Sequence, residues 1–143
     1  MADQVPTKTK VLIVDDDQVL CEMYAERLQA EGFETKTAFN GEEGVSKVVE
    51  FKPHCILLDL MMPKVDGFTA LEILKSTPET KSIPVLILTA LIQDENRKKG
   101  LAKGATDYII KSETMPGEVV AKIMKAINGN KQQAPPPPAA PAA

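Results

Sequence analysis

An apolar run, "VLIV" at 11–14, ends in three consecutive aspartates, Asp15, Asp16 and Asp17. Three carboxylates with no cation among them are costly, because each raises the pKa of the others. A hard divalent ion removes that cost, and magnesium prefers carboxylate, carbonyl and water oxygens. Other apolar runs close on groups of compatible chemistry. Asp59 ends "HCILLD" (54–59), Thr89 stands near the end of "IPVLILTA" (83–90), and Lys111 ends "TDYIIK" (106–111). The threonine offers a hydroxyl and the lysine a positive charge. If the first of these runs lies beside the third, all of these groups converge on one rim. They then describe a site for a phosphoryl group held against magnesium and a carboxylate. Phosphoryl transfer needs mainly positioning and charge neutralisation. A carboxylate can also act as the nucleophile, giving an aspartyl phosphate.

Each residue also has a plainer reading. Asp17 is well placed as the N-cap of a following helix, and that role is preferred for it. Thr89 and Lys111 read singly as ordinary strand-end residues. Asp66-Gly67 reads as a turn pair with no catalytic role. His54 has no second metal ligand nearby, so a structural role is expected. Cys21 and Cys55 lack metal-ligand spacing and read as buried free thiols. The site rests on separate strand ends carrying compatible groups together.

The elements that must position these groups alternate along the chain. Strands are expected at 10–15, 33–39, 54–59, 83–90 and 106–111. The first, third and fourth are continuously apolar, as parallel strands buried on both faces require. The second alternates, as an edge strand would. Helices are expected over 17–31, 41–50, 68–76, 94–103 and 116–128. The first carries Val19, Leu20, Met23, Tyr24 and Leu28 as its apolar face. Val119, Val120, Ile123, Met124 and Ile127 form that of the last. Asn40 with Glu43 resembles a capping box, and Gly32 and Gly104 fit helix stops. Five strands alternating with five helices imply an α/β fold, a doubly wound parallel sheet covered on both sides. In such sheets ligands bind beyond the carboxyl ends of the strands.

The 143 residues suffice for one domain with a proper core. A net charge of −3 gives no basic patch for nucleic acid. No apolar stretch approaches a membrane span, and the polar start "MADQVPTKTK" lacks a signal peptide's apolar segment. A cytoplasmic location, with no nucleic-acid or membrane partner, is therefore expected. The organisation expected is a flexible N-terminus (1–8), a folded domain (9–129) and a Pro/Ala-rich tail or linker (130–143). Nothing after Asn128 is suited to fold as an output domain.

Together "LIVDDD", "LLDLMMPKVDG", "PVLILTA" and "DYIIK" resemble, in order and spacing, the receiver domain of two-component response regulators, over about residues 9–128. The resemblance implies a sheet of order 2-1-3-4-5 with five helices, the flavodoxin-like or CheY-like three-layer sandwich. It implies a signalling domain rather than an enzyme with a released product, in which Asp59 is the phosphoacceptor. Asp16 binds magnesium directly, with Asp59 and the backbone carbonyl of Met61, and Asp15 acts mostly through a metal-bound water. Thr89 and Lys111 each reach a phosphoryl oxygen, and Tyr108 is the switch aromatic that turns inward on activation. The implied partners are a sensor histidine kinase or a histidine phosphotransfer protein. A downstream protein would use the face of the fourth helix, fifth strand and fifth helix, and a phosphorylation-dependent homodimer is a further implied partner.

Ser112 departs from the family's usual proline after the lysine, which predicts a looser loop there. Met61 and Leu91, both apolar, flank the family's path for hydrolytic water, which predicts a long-lived aspartyl phosphate. Two alternatives stand beside this reading. "DDDQVL" (15–20) also satisfies the D-x-D-x-[TV]-[LV] pattern of haloacid-dehalogenase-type phosphatases, with Asp15 as nucleophile, but no acidic pair suited to magnesium follows Lys111 and Asp59 has no task there. The other alternative is a degenerate receiver serving only as a scaffold.

Overall fold

The computed structural model describes residues 9–62 and 66–131. Five strands form one parallel sheet: β1 (Lys10–Val14), β2 (Glu34–Ala38), β3 (Cys55–Leu58), β4 (Val85–Thr89) and β5 (Asp107–Ile110). Their order is β2-β1-β3-β4-β5, so the expected topology is present and β2 is an edge. Five helices connect and follow them: α1 (Gln18–Ala30), α2 (Gly41–Phe51), α3 (Gly67–Ser76), α4 (Asp94–Ala102) and α5 (Pro116–Lys131).

Strand alternation sorts the core into two layers, because successive side chains point to opposite faces. Val11 and Ile13 of β1 pack with Cys21, Tyr24 and Leu28 of α1 and with Val119, Ile123 and Ile127 of α5. Leu12 and Val14 face the other way, onto Val48 of α2 and Ala70, Leu71 and Leu74 of α3. Fully apolar central strands follow from this two-sided burial. The fourth helix is held differently. Its one buried residue is Gly100, which lies against Ile87 and the Tyr108 ring, where even a Cβ would come within 2.6 Å of Ile87 Cδ1.

The helix ends follow the sequence signals. Asp17 accepts a hydrogen bond from the Leu20 amide at 3.1 Å and caps α1. Asn40 accepts from the Glu43 amide at 2.8 Å, while the Glu43 carboxylate accepts from Phe39, one residue before the cap, at 2.7 Å. Gly32 and Gly104 adopt φ of +99° and +109°, the left-handed stops expected after α1 and α4.

Several expectations need correction. Val19 is 77% exposed and Met23 38%. Both lie two residues from Cys21, about 200° around the helix, so the buried stripe of α1 runs through Cys21, Tyr24 and Leu28 instead. Met124 stands at the margin of the α5 stripe and is also partly exposed. Asp66-Gly67 begins a helix: Asp66 accepts from the Thr69 amide at 2.9 Å and caps α3. Lys111 lies just past β5, in a short 3-10 turn over Lys111–Glu113. His54 needs no such correction: in keeping with the structural role expected of it, its Nδ1 accepts from the Lys10 amide at 3.0 Å. The expected terminal segments, 1–8 and most of 130–143, lie outside the described residues.

Candidate functional site

The register builds the rim. Val14 pairs with Leu58, Leu58 with Ile87, and Thr89 with Ile110. The residues just beyond these pairs therefore leave the sheet on one side. Backbone bonds extend the ladder into the site: the Asp59 amide donates to Val14 O at 2.9 Å, and the Asp15 amide to Ala38 O at 3.0 Å. Parallel pairing thus fixes two aspartates by their main chains.

Asp15 and Asp59 are buried, and Asp16 is exposed. One carboxylate oxygen from each of the three lies within 4.8 Å of the others. Asp17 falls outside this cluster and faces its own helix. That geometry disfavours a D-x-D phosphatase site, which needs the first and third aspartates together.

Among the described residues, one cation serves the cluster. Lys111 Nζ lies 2.8 Å from Asp15 Oδ2 and 3.5 Å from Asp59 Oδ2. The other oxygens are held by main chain. Asp15 Oδ1 accepts from the Asp17 amide at 3.0 Å. Asp59 Oδ1 accepts from the Leu60 amide at 2.8 Å and the Met61 amide at 3.4 Å. Burial pushes the Asp15 carboxyl above its ordinary range, with Asp59 adding to the rise; Lys111 and the Asp17 amide oppose it without cancelling it. For Lys111, burial pulls the ammonium down, but the hydrogen bond to Asp15 and the two carboxylate fields outweigh it, leaving it raised. Among the described residues, three carboxylates against one ammonium leave an excess of negative charge. This all-oxygen donor set, two members of it buried, fits a hard divalent cation such as magnesium.

The other two expected residues meet through a third. Thr89 is fully buried, and its Oγ1 accepts from the Leu91 amide at 3.4 Å. Tyr108 is turned in and buried, its hydroxyl donating to Leu91 O at 2.9 Å. The β4–α4 connection is therefore held from both sides at one residue.

The structure thus brings together Asp15, Asp16, Asp59 and Lys111, and links Thr89 to Tyr108. Met61 turns its amide toward Asp59 while its side chain is largely exposed. Sequence reasoning missed the bridging place of Leu91, which no side-chain chemistry marks. It also missed Cys21, whose Sγ donates to Asp15 O at 3.3 Å. A thiol one turn into the helix after the aspartates was the available signal.

Comparison with known proteins places this arrangement. The model of the response regulator receiver domain family matches residues 11–124. Among curated proteins, the DNA-binding dual master transcriptional regulator RpaA of Synechocystis is 40% identical over 102 residues, covering 71% of this chain and 42% of that protein. The phosphate regulon transcriptional regulatory protein PhoB of Rhizobium meliloti is 34% identical over 124 residues, covering 87% of this chain and 54% of that protein. The chain thus spans about half the length of these relatives. Among solved structures, a CheY-like response regulator receiver domain protein from Methanospirillum hungatei superposes with a TM-score of 0.83 at 25% identity, covering 90% of this chain and 100% of the other. The chemotaxis protein CheY4 of Vibrio cholerae superposes with a TM-score of 0.78 at 29% identity, covering 84% and 99%. No helix among the described residues is long and apolar enough to cross a membrane. With the family model matching from β1 into α5, this chain belongs to the receiver domains of two-component response regulators.

Proposed function

We propose that Asp59 is the phosphoacceptor of this receiver. A sensor histidine kinase or a histidine phosphotransfer protein would supply the phosphoryl group. An Asp59 carboxylate oxygen attacks phosphorus, the O–P bond forms as the N–P bond to the donor imidazole breaks, and the imidazole leaves with the nitrogen's electron pair. The observation that carries this reading is the buried Asp59 carboxylate, fixed by two amides on Oδ1 and facing Lys111 with Oδ2.

The remaining roles follow from charge. Asp15, Asp16, Asp59 and the Met61 carbonyl would hold magnesium, Asp15 mostly through water. When bound, magnesium offsets the negative charge shared by the carboxylates and the phosphoryl oxygens. Lys111, which faces Asp59 Oδ2, would supply the cation for one phosphoryl oxygen. Thr89 would donate its hydroxyl to another, and the rotation that aims it there would draw Oγ1 away from the Leu91 amide. That exchange would be felt by Tyr108 through Leu91, coupling the site to the face of α4, β5 and α5, where a downstream protein or a second copy would bind. The output is a conformational population rather than a released product, and such relays place the chain in the cytoplasm.

The test is incubation with magnesium and acetyl phosphate, followed by mapping of the modified residue. Modification of Asp59, absent from Asp59→Asn, is expected. Modification of Asp15 would support a phosphatase-like nucleophile, and no acyl phosphate would support a scaffold.

A further inference from the structure

We propose that Gly67 is a positioning residue for phosphoryl acceptance, because the missing side chain lets the start of α3 close the loop stem that aims Asp59. The proposal rests on Asp59 being the phosphoacceptor. Gly67 is the first residue of α3 and is buried. Its φ is outside the left-handed region that Gly32 and Gly104 occupy, so conformation does not demand glycine here. Alanine is the better helix former by about 1 kcal/mol in a helix interior. Space is what excludes it. A Cβ at Gly67 would stand 2.3 Å from Asp59 O and 2.5 Å from Leu60 Cα. These are backbone atoms, which cannot swing aside as a side-chain end can.

The close approach has a use. The Gly67 amide donates to Leu60 O at 3.0 Å, tying the start of α3 to the residue that follows the phosphoacceptor. Leu60 and Met61 supply the two amides that hold Asp59 Oδ1. With Oδ1 so held, Oδ2 is left toward Lys111. Any side chain at position 67 must push α3 and the 59–60 peptide apart; the Leu60 amide moves with that peptide, and the Met61 amide, in the next one, is displaced with it. The carboxylate then loses the orientation in which one oxygen is engaged by the loop and the other faces the cation. Misorientation of about 1 Å at a reacting group can cost on the order of 100-fold in rate.

The test uses the full chain, with Gly67→Ala compared with Gly32→Ala. The second variant strains a left-handed position at the far end of α1 and so controls for lost stability. Phosphorylation of Asp59 by acetyl phosphate in magnesium should fall at least tenfold in maximal rate for Gly67→Ala, with little change in the half-saturating donor concentration. Gly32→Ala should stay within twofold of wild type. The Leu60 and Met61 amide resonances should shift in Gly67→Ala alone. A folded Gly67→Ala with a near-wild-type rate, or with those resonances unmoved, overturns the proposal. Should that variant not fold, hydrogen exchange on the wild type decides. The Gly67 amide should be as protected as that of Asp59, and rapid exchange there would overturn the closed stem. A wild type unmodified at Asp59 would instead refute the phosphoacceptor reading, while the resonance shifts would still report whether Gly67 sets the loop.

Discussion

The Lys111 ammonium lies 2.8 Å from the Asp15 carboxylate, and that carboxylate is almost wholly buried. The same ammonium lies 3.5 Å from Asp59. Removing it as Lys111→Ala leaves two buried carboxylates facing each other. Breaking a buried ion pair from one side is strongly destabilising, and partial exposure of the ammonium discounts the effect. A loss of about 1–3 kcal/mol is expected in metal-free buffer, read from urea unfolding in EDTA. A variant as stable as wild type would show that other groups already satisfy the carboxylates.

Magnesium should stabilise the domain before any phosphorylation. A ligand that binds the folded state alone contributes RT ln(1 + [L]/Kd), or about 1.4 kcal/mol at ten times its Kd. Asp16 offers an exposed oxygen to the cluster, so Asp16→Ala should abolish this increment while disturbing the core little. Unfolding curves in EDTA and in magnesium, matched for ionic strength with sodium chloride, provide the comparison. An increment equal in wild type and variant would place the ion elsewhere.

Which parts of this molecule could be read from sequence follows from the range of each interaction. The central strands were legible because two-sided burial writes uninterrupted runs such as "CILL" and "VLILT". Caps at Asp17 and Asn40 were legible because the donor and acceptor lie within three residues. The acidic rim was legible from the strand ends once the order of strands was supplied by the family pattern. Val19 and Met23 misled, since apolar side chains beside a buried stripe look like part of it until the sheet's position is known. The Asp66 cap was read as a turn because a short polar pair signals either. Leu91 and Gly67 were illegible for another reason. Their work is done by backbone atoms meeting distant partners, Tyr108 seventeen residues away in one case and the 59–60 peptide in the other.

The bridge at Leu91 makes a separate prediction. Tyr108→Phe removes the donor to Leu91 O while keeping the ring that packs against Gly100. A net loss of about 1 kcal/mol is expected for a hydrogen bond of this kind. The more specific consequence is at Thr89. With its carbonyl released, the Leu91 amide should hold Thr89 Oγ1 less well, and the Leu91 and Thr89 amide resonances should shift together. A shift confined to Leu91 would mean that its two peptide groups respond independently and that Tyr108 is not coupled to Thr89 through it.

Cys55 sets a limit at high pH. It begins β3 with no exposed surface, and burial pushes its thiol up from 9.0 to about 12. In the unfolded chain the same thiol ionises near its ordinary value, so between the two pKa values the unfolded state holds fewer protons than the folded one. Stability then falls with rising pH. The contribution is fully present below pH 9 and is lost progressively up to about pH 12. Between pH 8.5 and 10.5 the linkage amounts to about 2 kcal/mol for this one group. Other groups titrate in the same range, so the measurement must be differential. Urea unfolding of wild type and Cys55→Ala at both pH values isolates the thiol, because any packing defect of alanine is present at each pH and cancels. Wild type should lose more stability than the variant across the interval. Parallel losses would show that the strand opens enough for the thiolate to form in the folded state.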